Sequence, residues 1–382
     1  MRAMWMIIFL ALPFAGMVYA SWHVWTLLPL PNGWKWLVIA LGVLSFLSLF
    51  LVFGGVLERM PVPVARALYR VGTSAIFILM YLVMLFALLD LGRAVHLVPA
   101  EWMRGNWVTL AAIAAVVALV FLYGHLHYKD KARVGIELTT TKQLAKDYTV
   151  VMASDLHLGY LNGRGELARW VDMINAEHPD LVLLAGDIVD ISVRPLLEEG
   201  MAEELRRIEA PVYTCLGNHE YYSNTLQAKR FLDDANIHVL CDTAVLIDGT
   251  LLVIGRDDRS NTKRKAVGEL VSAAYAEGER PYTILLDHQP YDLNLSEEAG
   301  VDFQFSGHTH YGQLWPVSWI TKVLYECAWG FHRRGETSYY VTSGLGIWGG
   351  RFRIGTQSEY VVATIRTGEE LTLNPMINRE KD

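Results

Sequence analysis

Potential metal ligands follow directly after short aliphatic runs at five places in the second half of the chain. In the clearest case, residues 181–185 form a run that we interpret as a strand buried on both faces, after which Gly186 turns the backbone and presents Asp187. A single Asp at such a place would most often cap a helix. The recurrence of these residue types at separate strand ends instead favours one shared metal site. The candidate ligands are Asp155, His157, Asp187, Asn218, His288, His308 and His310.

The donor set combines carboxylate and amide oxygens with imidazole nitrogens and contains no thiolate. Such a set suits Mn, Fe or Zn better than Ca or Cu(I), and Mn is the metal we favour. These ligands are too many for one tetrahedral ion. Two ions about 3.5 to 4 Å apart, bridged by one carboxylate, would use the whole set, and two-metal sites commonly hydrolyse phosphate esters. The residues therefore predict a dinuclear hydrolytic centre.

The order of these residues resembles that of the calcineurin-like metallophosphoesterases. The pattern of that family is D-x-H, G-D-x-x-D, G-N-H-[DE], a later H, and G-H-x-H. The resemblance covers about residues 148–366, and an ordered set of blocks is far more specific than any single block. This chain carries Asp155-Leu-His157, Gly186-Asp187-Ile-Val-Asp190, Gly217-Asn218-His219-Glu220, His288 and Gly307-His308-Thr-His310.

The resemblance implies two metal ions with Asp187 as the bridge, and an α/β fold with two mixed β-sheets sandwiched by helices. When bound, the two cations would lower the pKa of a shared water and polarise the phosphoryl oxygens that the water attacks. The ligands implied for the first ion are Asp155, His157, Asp187 and His310. Those implied for the second ion are Asp187, Asn218, His288 and His308.

His219 is the remaining member of the third block, and chelation of a metal is one alternative for it. By resemblance to the family, we expect His219 to donate a proton to the leaving-group oxygen, with Glu220 or Asp190 holding its other ring nitrogen. A helix N-cap or a loop hydrogen bond would explain Asp190 equally well. His219, Asp190 and Glu220 are thus the candidate catalytic residues.

Composition divides the chain of 382 residues near Tyr128 into an apolar first part and a mixed second part. We predict a four-helix transmembrane domain (1–128), a connector (129–147) with an entering strand at 134–138, and a metallophosphoesterase domain (148–382). A secretory signal is an alternative for the first apolar run. The runs, each long enough to cross a hydrocarbon core of about 30 Å, are 4–20, 36–56, 71–91 and 107–126.

From Tyr148 onward, strands and helices alternate, which predicts mixed sheets covered by helices. The pattern changes between residues 239 and 254, where short apolar runs separated by turn residues predict an antiparallel hairpin region. The predicted helices are 166–177, 196–208, 226–235 and 266–277.

Basic residues beside the apolar runs predict that the second half faces the cytoplasm from a multi-pass protein of the inner (cell) membrane. The net charge of −7 gives no overall basic field for nucleic acid. The cysteines have no C-x-x-C spacing and agree with a reducing compartment. Basic residues on the predicted inner side are Arg2, Arg59, Arg66, Arg70, Lys129, Lys131 and Arg133, against Lys35, Arg93 and Arg104 outside.

The segment that follows the last block, residues 315–334, is rich in aromatic and aliphatic residues and ends in the basic pair Arg333-Arg334. We interpret it as a surface that enters an anionic membrane interface, with a helix packed on the domain as the alternative. Tyr311 stands where the family commonly has Gly, and its side chain is expected to narrow the mouth of the site.

Together these features predict a membrane-anchored dinuclear phosphoesterase. Its substrate is a phosphate ester or pyrophosphate, with a lipid-linked compound such as a phospholipid or UDP-diacylglucosamine as one class. The alternatives are a soluble phosphodiester, for which the helices are only an anchor, and a non-catalytic sensor or transporter with a structural metal domain. A full ligand set beside His219 favours the enzyme, because a structural metal site needs no proton donor. No residue identifies the substrate or the oligomeric state.

Overall fold

The chain folds into two compact units. The computed structural model describes residues 2–275, 280–368 and 378–380, without the side chains of residues 2–10, 53 and 378–380. The first unit comprises Met1–Leu126 with Gly349–Phe352, and the second comprises His127–Trp348 with Arg353–Asp382.

The first unit consists of long apolar helices. Pro31 and Pro61 directly precede the second and third helices, where the fixed φ of proline suits a helix start. The helices are α1 (Arg2–Leu27), α2 (Asn32–Leu47, continued by 3-10 turns at Ser48–Gly55), α3 (Val62–Ala94) and α4 (Trp107–Lys129).

Three helical segments of the first unit are long and apolar enough to cross a membrane. They are Asn32–Val52, Val62–Ala94 and Trp107–Lys129 within the described residues. The first of the four predicted spans corresponds to α1, which is not among these three segments. The side chains of α1 before Ala11 lie outside the described part of the chain. The helical and apolar character of the N-terminal part is therefore confirmed, with three candidate spans rather than four.

A polar cluster joins α1 to α3. The Tyr19 hydroxyl donates to Asp90 Oδ2 at 2.7 Å, and His23 Nε2 lies 2.9 Å from the same oxygen. Arg93 lies 3.1 Å from the other carboxylate oxygen. His23 is buried, and such hydrogen bonds between apolar helices stabilise their packing.

The second unit contains the remaining elements. Its helices are α5 (Arg164–Ala176), α6 (Arg194–Glu198), α7 (Met201–Leu205), α8 (Asn218–Tyr222), α9 (Thr225–Asp234), α10 (Val267–Ala274), α11 (Asn294–Glu298) and α12 (Val317–Leu324). Its strands are β1 (Lys131–Thr140), β2 (Tyr148–Ala153), β3 (Leu181–Ala185), β4 (Val212–Cys215), β5 (Ile237–Val239), β6 (Thr243–Ile247), β7 (Leu251–Gly255), β8 (Tyr282–Leu286), β9 (Phe303–Ser306), β10 (Gly330–Arg334), β11 (Thr337–Val341), β12 (Ser358–Thr367) and β13 (Asn378–Glu380).

Two mixed sheets form the second unit, as predicted. The first has the order β13-β1-β12-β2-β3-β4-β5, and the second has the order β10-β11-β9-β8-β7-β6. Strands β2 to β5 run parallel in the first sheet, and β7, β8, β9 and β11 run parallel in the second. Side chains of both sheets share one core, for example Val150 with Ile284, while Trp170 of α5 packs on the outer face of the first sheet.

Three local predictions differ from the structure. Much of the predicted connector is strand β1, which pairs in parallel with β12 over ten residues and is longer than the predicted strand at 134–138. The helix predicted at 196–208 is broken into α6 and α7 at Gly200, which adopts a left-handed conformation (φ 64°). In the hairpin region, β6 and β7 pair antiparallel, but β5 pairs with β4 in the other sheet. The last residues of the helix predicted at 266–277 lie outside the described residues.

Candidate metal centre

Five loops meet at the carboxyl ends of β2, β3, β4, β8 and β9. The first two loops are joined through their backbones, because the amides of Asp155 and His157 donate to the carbonyls of Gly186 and Asp187. The amide of His219 donates to Asp187 Oδ1 at 2.8 Å, and the amide of His308 donates to the Asp155 carboxylate at 3.1 Å. Backbone donors from neighbouring loops thus fix the two carboxylates.

The first ligand group consists of Asp155, His157 and His310. His157 Nε2 lies 3.0 Å from His310 Nε2, and Asp155 Oδ1 lies 3.7 Å and 3.3 Å from these two nitrogens. Ligand bonds of about 2.0 to 2.2 Å to a single ion place neighbouring ligand atoms about 3 to 3.6 Å apart. The spacing of the three atoms therefore fits a bound cation.

The second ligand group consists of Asp187, His288 and His308. His288 Nε2 lies 3.0 Å from Asp187 Oδ2, while its Nδ1 lies 2.6 Å from the Ala185 carbonyl oxygen. A histidine that donates one N–H to a carbonyl presents the lone pair of its other nitrogen, as metal ligands do. This group also fits a cation.

Asp187 connects the two groups. Its Oδ2 also lies 3.8 Å from His157 Nε2, and a third group consists of His157, Asp187 and His219. Asn218 is the first residue of α8, after the loop that follows β4, and its buried Oδ1 accepts no hydrogen bond from the described residues. A buried amide oxygen without a donor suits a hard metal ion. The structure thus places all the predicted ligand residues on the loops that meet here, and it brings six of them into two close groups.

Several ligands have backbone conformations that non-glycine residues seldom adopt. The φ angles are 56° at Asp155, 43° at His157, 51° at Asp187, 69° at His308 and 46° at His310. Each such residue costs on the order of 1 to 3 kcal/mol, so the surrounding fold must compensate for the strain. Strain concentrated on candidate ligands is typical of a functional site.

The charges of Asp155, Asp187 and His308 suit metal binding, whereas neighbouring carboxylates, acting against burial, raise the pKa of His157 and of His288. Burial alone would raise the pKa of Asp155 and Asp187, but neighbouring imidazoles, His310 for the first and His288 for the second, hold both pKa values below their usual range. Burial, assisted by His288, lowers the pKa of His308 to about 4. Ionised carboxylates and a neutral imidazole are the forms in which these side chains bind metals.

His219 lies beside Asp190 rather than beside Glu220. His219 Nδ1 lies 3.0 Å from Asp190 Oδ1, which also lies 3.4 Å from His157 Nδ1. The Glu220 carboxylate instead accepts backbone N–H groups of Asp187, Val189 and Gly217 at 2.7 to 3.0 Å. Burial and the charge of Asp187 raise the pKa of Glu220 to about 7. Glu220 therefore positions the loops, and Asp190 orients the ring.

Two further residues support the ligand loops without having been predicted to do so. The Asn162 amide donates to the carbonyls of Leu156, His157 and Ile347 at 3.0 to 3.1 Å. Arg353 is fully buried, and its guanidinium donates to the His310 carbonyl at 2.7 Å. The sequence offered no periodic signal for Asn162.

Tyr311 follows His310 directly and has a left-handed conformation (φ 48°). This conformation explains why glycine is common at the equivalent place in the family. The Tyr311 ring stacks on Trp329 at 4.9 Å between ring centres. Its effect on the mouth of the site stays a prediction.

Comparison with known proteins agrees with this geometry. Residues 148–312 match the calcineurin-like phosphoesterase family. A protein of Aquifex aeolicus named as an uncharacterized metallophosphoesterase is 30% identical over 66% of this chain and 98% of its own length. One from Helicobacter pylori, with the same name, is 27% identical over 75% of this chain and 80% of its own length. A Danio rerio protein named "Transmembrane protein with metallophosphoesterase domain" is 28% identical over 64% of this chain and 60% of its own length.

This chain is a membrane protein of the calcineurin-like metallophosphoesterase family, whose members are dinuclear, metal-dependent hydrolases.

Proposed function

We propose that this protein is a membrane-anchored phosphoesterase that hydrolyses a phosphate ester or a pyrophosphate bond of a lipid-linked or membrane-proximal substrate. The observation that carries the proposal is that Asp187 Oδ2 lies 3.0 Å from His288 Nε2 of the second ligand group and 3.8 Å from His157 Nε2 of the first. One carboxylate between two ligand groups is the arrangement that two-metal hydrolysis requires.

Two divalent cations fit the ligand groups, and we favour Mn, with Fe or Zn as alternatives, because the donors are oxygen and nitrogen. When bound, the cations supply an activated water and positive charge that stabilises the phosphoryl oxygens. The ligands that we assign to the first cation are Asp155, His157, Asp187 and His310. Those of the second are Asp187, Asn218, His288 and His308.

The other residues handle the leaving group. Asp190 holds Nδ1 of His219 at 3.0 Å, so Nε2 is the atom that we assign as proton donor to the leaving-group oxygen. As the proton leaves the ring, the bond from the departing oxygen to phosphorus breaks. Glu220 keeps the loops of Asp187 and Asn218 in register by accepting three backbone N–H groups.

The membrane helices support a lipid-linked substrate, such as a phospholipid or UDP-diacylglucosamine. Three candidate spans keep the catalytic unit at a bilayer, where lipid phosphates are concentrated. Basic residues near the spans support a cytoplasmic catalytic unit on the inner (cell) membrane. A soluble phosphodiester is the second candidate, with the helices as an anchor only.

The test uses the full chain, purified with Mn and assayed against a panel of lipid and soluble phosphoesters. Metal content is measured by plasma emission for the wild type, for Asp187→Asn and for the exposed control Asp147→Asn. We expect Asp187→Asn to lose both ions together with turnover, because one carboxylate holds two charges together, and the control to retain both. Wild-type metal content and turnover in Asp187→Asn would remove the assignment.

A further inference from the structure

A surface helix usually buries its apolar side chains and exposes its polar ones, and α12 does the opposite. Its hydroxyl residues Ser318 and Thr321 are buried, whereas its large apolar residues face outward. Trp315, just before the helix, is also exposed, and its ring lies edge-on to Trp319 at 5.4 Å. We call the following residues the α12 surface, with their exposed fractions: Trp315 (39%), Trp319 (61%), Ile320 (59%), Val323 (86%) and Leu324 (65%).

Close packing fixes this orientation. Helix α12 lies against the turn His310–Gly312, where a Cβ atom on Gly312 would come within 2.5 Å of the Ser318 amide nitrogen. Only small side chains fit on the helix face that meets this turn. Rotating the helix to bury Trp319 would bring a large ring into that narrow contact, so the apolar face is held outward by the fold.

An outward apolar face with this many large residues needs a covering partner. The chain itself indicates which partner is present, because strand β1 begins at Lys131, two residues after α4 ends at Lys129. A candidate membrane span therefore continues almost directly into the second unit. Paired tryptophans with aliphatic neighbours are typical of surfaces at the membrane–water boundary.

We propose that the α12 surface docks into the headgroup–acyl boundary of a phospholipid bilayer. The docking itself is independent of the proposed function, and only its consequence for substrate choice rests on that function. Because α12 packs on the turn that carries His310 and Tyr311, docking holds this side of the metal centre at the lipid surface.

The pair Arg333-Arg334 contributes little to this docking, in contrast to the role expected from the sequence. Arg334 is bound by Glu297 at 2.9 Å and by Glu326 at 2.7 Å, and Arg333 lies 3.4 Å from Glu336. These acidic partners already satisfy the guanidinium groups. We therefore expect docking to neutral lipid nearly as strong as docking to anionic lipid.

The test attaches a polarity-sensitive fluorophore (NBD) to Val323→Cys in the full chain, reconstituted in phosphatidylcholine vesicles with or without phosphatidylglycerol. The matched control is Leu226→Cys on α9, also exposed at 60%. The unsubstituted chain gives the background from Cys215, Cys241 and Cys327. Brominated lipid should quench the probe at 323 about twofold or more in both kinds of vesicle, and should not quench the probe at 226.

Equal quenching at the two positions would overturn the proposal. A blue-shifted emission at 323 without quenching would also overturn it, because a protein, for example a second copy of this chain, would then cover the surface. Neither result depends on catalysis, so a failure of the proposed function leaves this test intact.

A second measurement addresses the consequence for substrates. The triple variant Trp319→Ser, Ile320→Ser, Leu324→Ser is compared with the control Leu197→Ser, Leu226→Ser, two exposed apolar residues on other helices. The rate on a long-chain lipid phosphate in vesicles, divided by the rate on a water-soluble aryl ester, should fall about tenfold in the triple variant and stay constant in the control. Equal loss on both substrates would show that these residues stabilise the domain instead.

Discussion

Nδ1 of His219 faces the buried carboxylate of Asp190, which distinguishes this ring from His288, whose Nδ1 faces a backbone carbonyl. A carbonyl that accepts from one ring nitrogen leaves the other nitrogen directed at a metal, whereas a carboxylate partner orients a ring for proton transfer. This difference supports our proposal that His219 donates a proton and His288 binds a metal.

We expect His219→Ala to keep its metal ions and to lose turnover in proportion to the basicity of the leaving group. An alkyl ester should lose about 10² to 10⁴-fold in rate, because its departing oxygen needs a proton. A p-nitrophenyl ester should lose much less, because its departing oxygen is already stable as an anion. Steady-state rates on both esters, with metal content measured alongside, check this. Equal loss on both esters would contradict a role in proton donation.

Gly307 tests how tightly the ligand loops are packed. A Cβ atom at this position would overlap Ser154 Oγ and Asp155 Oδ2, so Gly307→Ala must displace a ligand carboxylate. We expect weaker metal binding and a lower unfolding temperature. Gly268→Ala in α10 is the matched control, since a Cβ atom there meets nothing within 4 Å and alanine favours a helix. Similar metal affinity in the two variants would show that the loops can adjust.

At the scale of residues, the sequence revealed the types of the ligands but not their support. Asp and His at successive strand ends indicate a metal site because neighbouring parallel strands end at one edge of a sheet. Asn162 is a single polar residue in a loop, and its bonds to Leu156, His157 and Ile347 depend on a fold that brings distant segments together. The left-handed conformations of the ligands had no sequence signal, since none of these residues is glycine.

Among the elements, an ion pair ties α5 to the first sheet. The Arg133 guanidinium on β1 contacts the Glu177 carboxylate at 2.8 and 2.9 Å, and the Tyr360 hydroxyl on β12 donates to Glu177 at 2.8 Å. Burial alone would raise the pKa of Glu177, but Arg133 and Tyr360 together lower it below its ordinary value of 4.5. The ion pair therefore stabilises the fold most at pH values at which Glu177 is ionised in both the folded and the unfolded chain.

We expect Glu177→Gln to lower the free energy of unfolding at pH 7 by about 1 kcal/mol, since the pair is partly exposed to solvent. A lowered pKa in the folded state gives stabilisation that is complete above pH 4.5 and disappears as the pH falls through that lowered pKa. Urea unfolding of the full chain, followed by the reactivity of the buried thiol of Cys215, measures it. Glu198→Gln, in an exposed pair with Arg194, is the control. A difference between wild type and variant that grows toward low pH would contradict the assignment.

Among the elements, the buried strands were the most predictable. Strands β3, β8 and β9 have buried side chains at every described position, and their uninterrupted apolar runs made them visible in the sequence. Strands β10, β11 and β12 were not predicted, because their pairing joins segments far apart in the chain and their residues mix polar and apolar types. The apolar pattern alone predicted one continuous helix at 196–208, but Gly200 separates α6 from α7.

For the whole molecule, the remaining question is which side of the membrane the catalytic unit faces. We expect a cytoplasmic location, because basic residues such as Arg59, Arg66, Arg70 and Lys129 lie on the side from which the second unit begins. A C-terminal fusion to alkaline phosphatase, which matures only outside the cytoplasm, should be inactive, and a fusion to green fluorescent protein should fluoresce. An active phosphatase fusion would reverse the orientation.

The division of the molecule into an apolar and a mixed part was visible in composition, which placed it near Tyr128. The compact units separate two residues earlier, between Leu126 and His127. The position of this boundary depends on which unit buries each side chain, and that follows only from the folded chain.

The last turn of α4 lies within the second unit, where the buried Tyr128 hydroxyl donates to Asn162 Oδ1 at 2.9 Å. Asn162 in turn donates to the carbonyls of Leu156 and His157. A protease that cut after Lys129 would remove this donor and leave a buried acceptor unsatisfied, at a cost of about 1 to 3 kcal/mol next to a metal ligand. The enzyme should therefore lose activity when proteolysis separates the second unit from the membrane helices. Proteolytic release would then inactivate the enzyme instead of producing an active form away from the membrane.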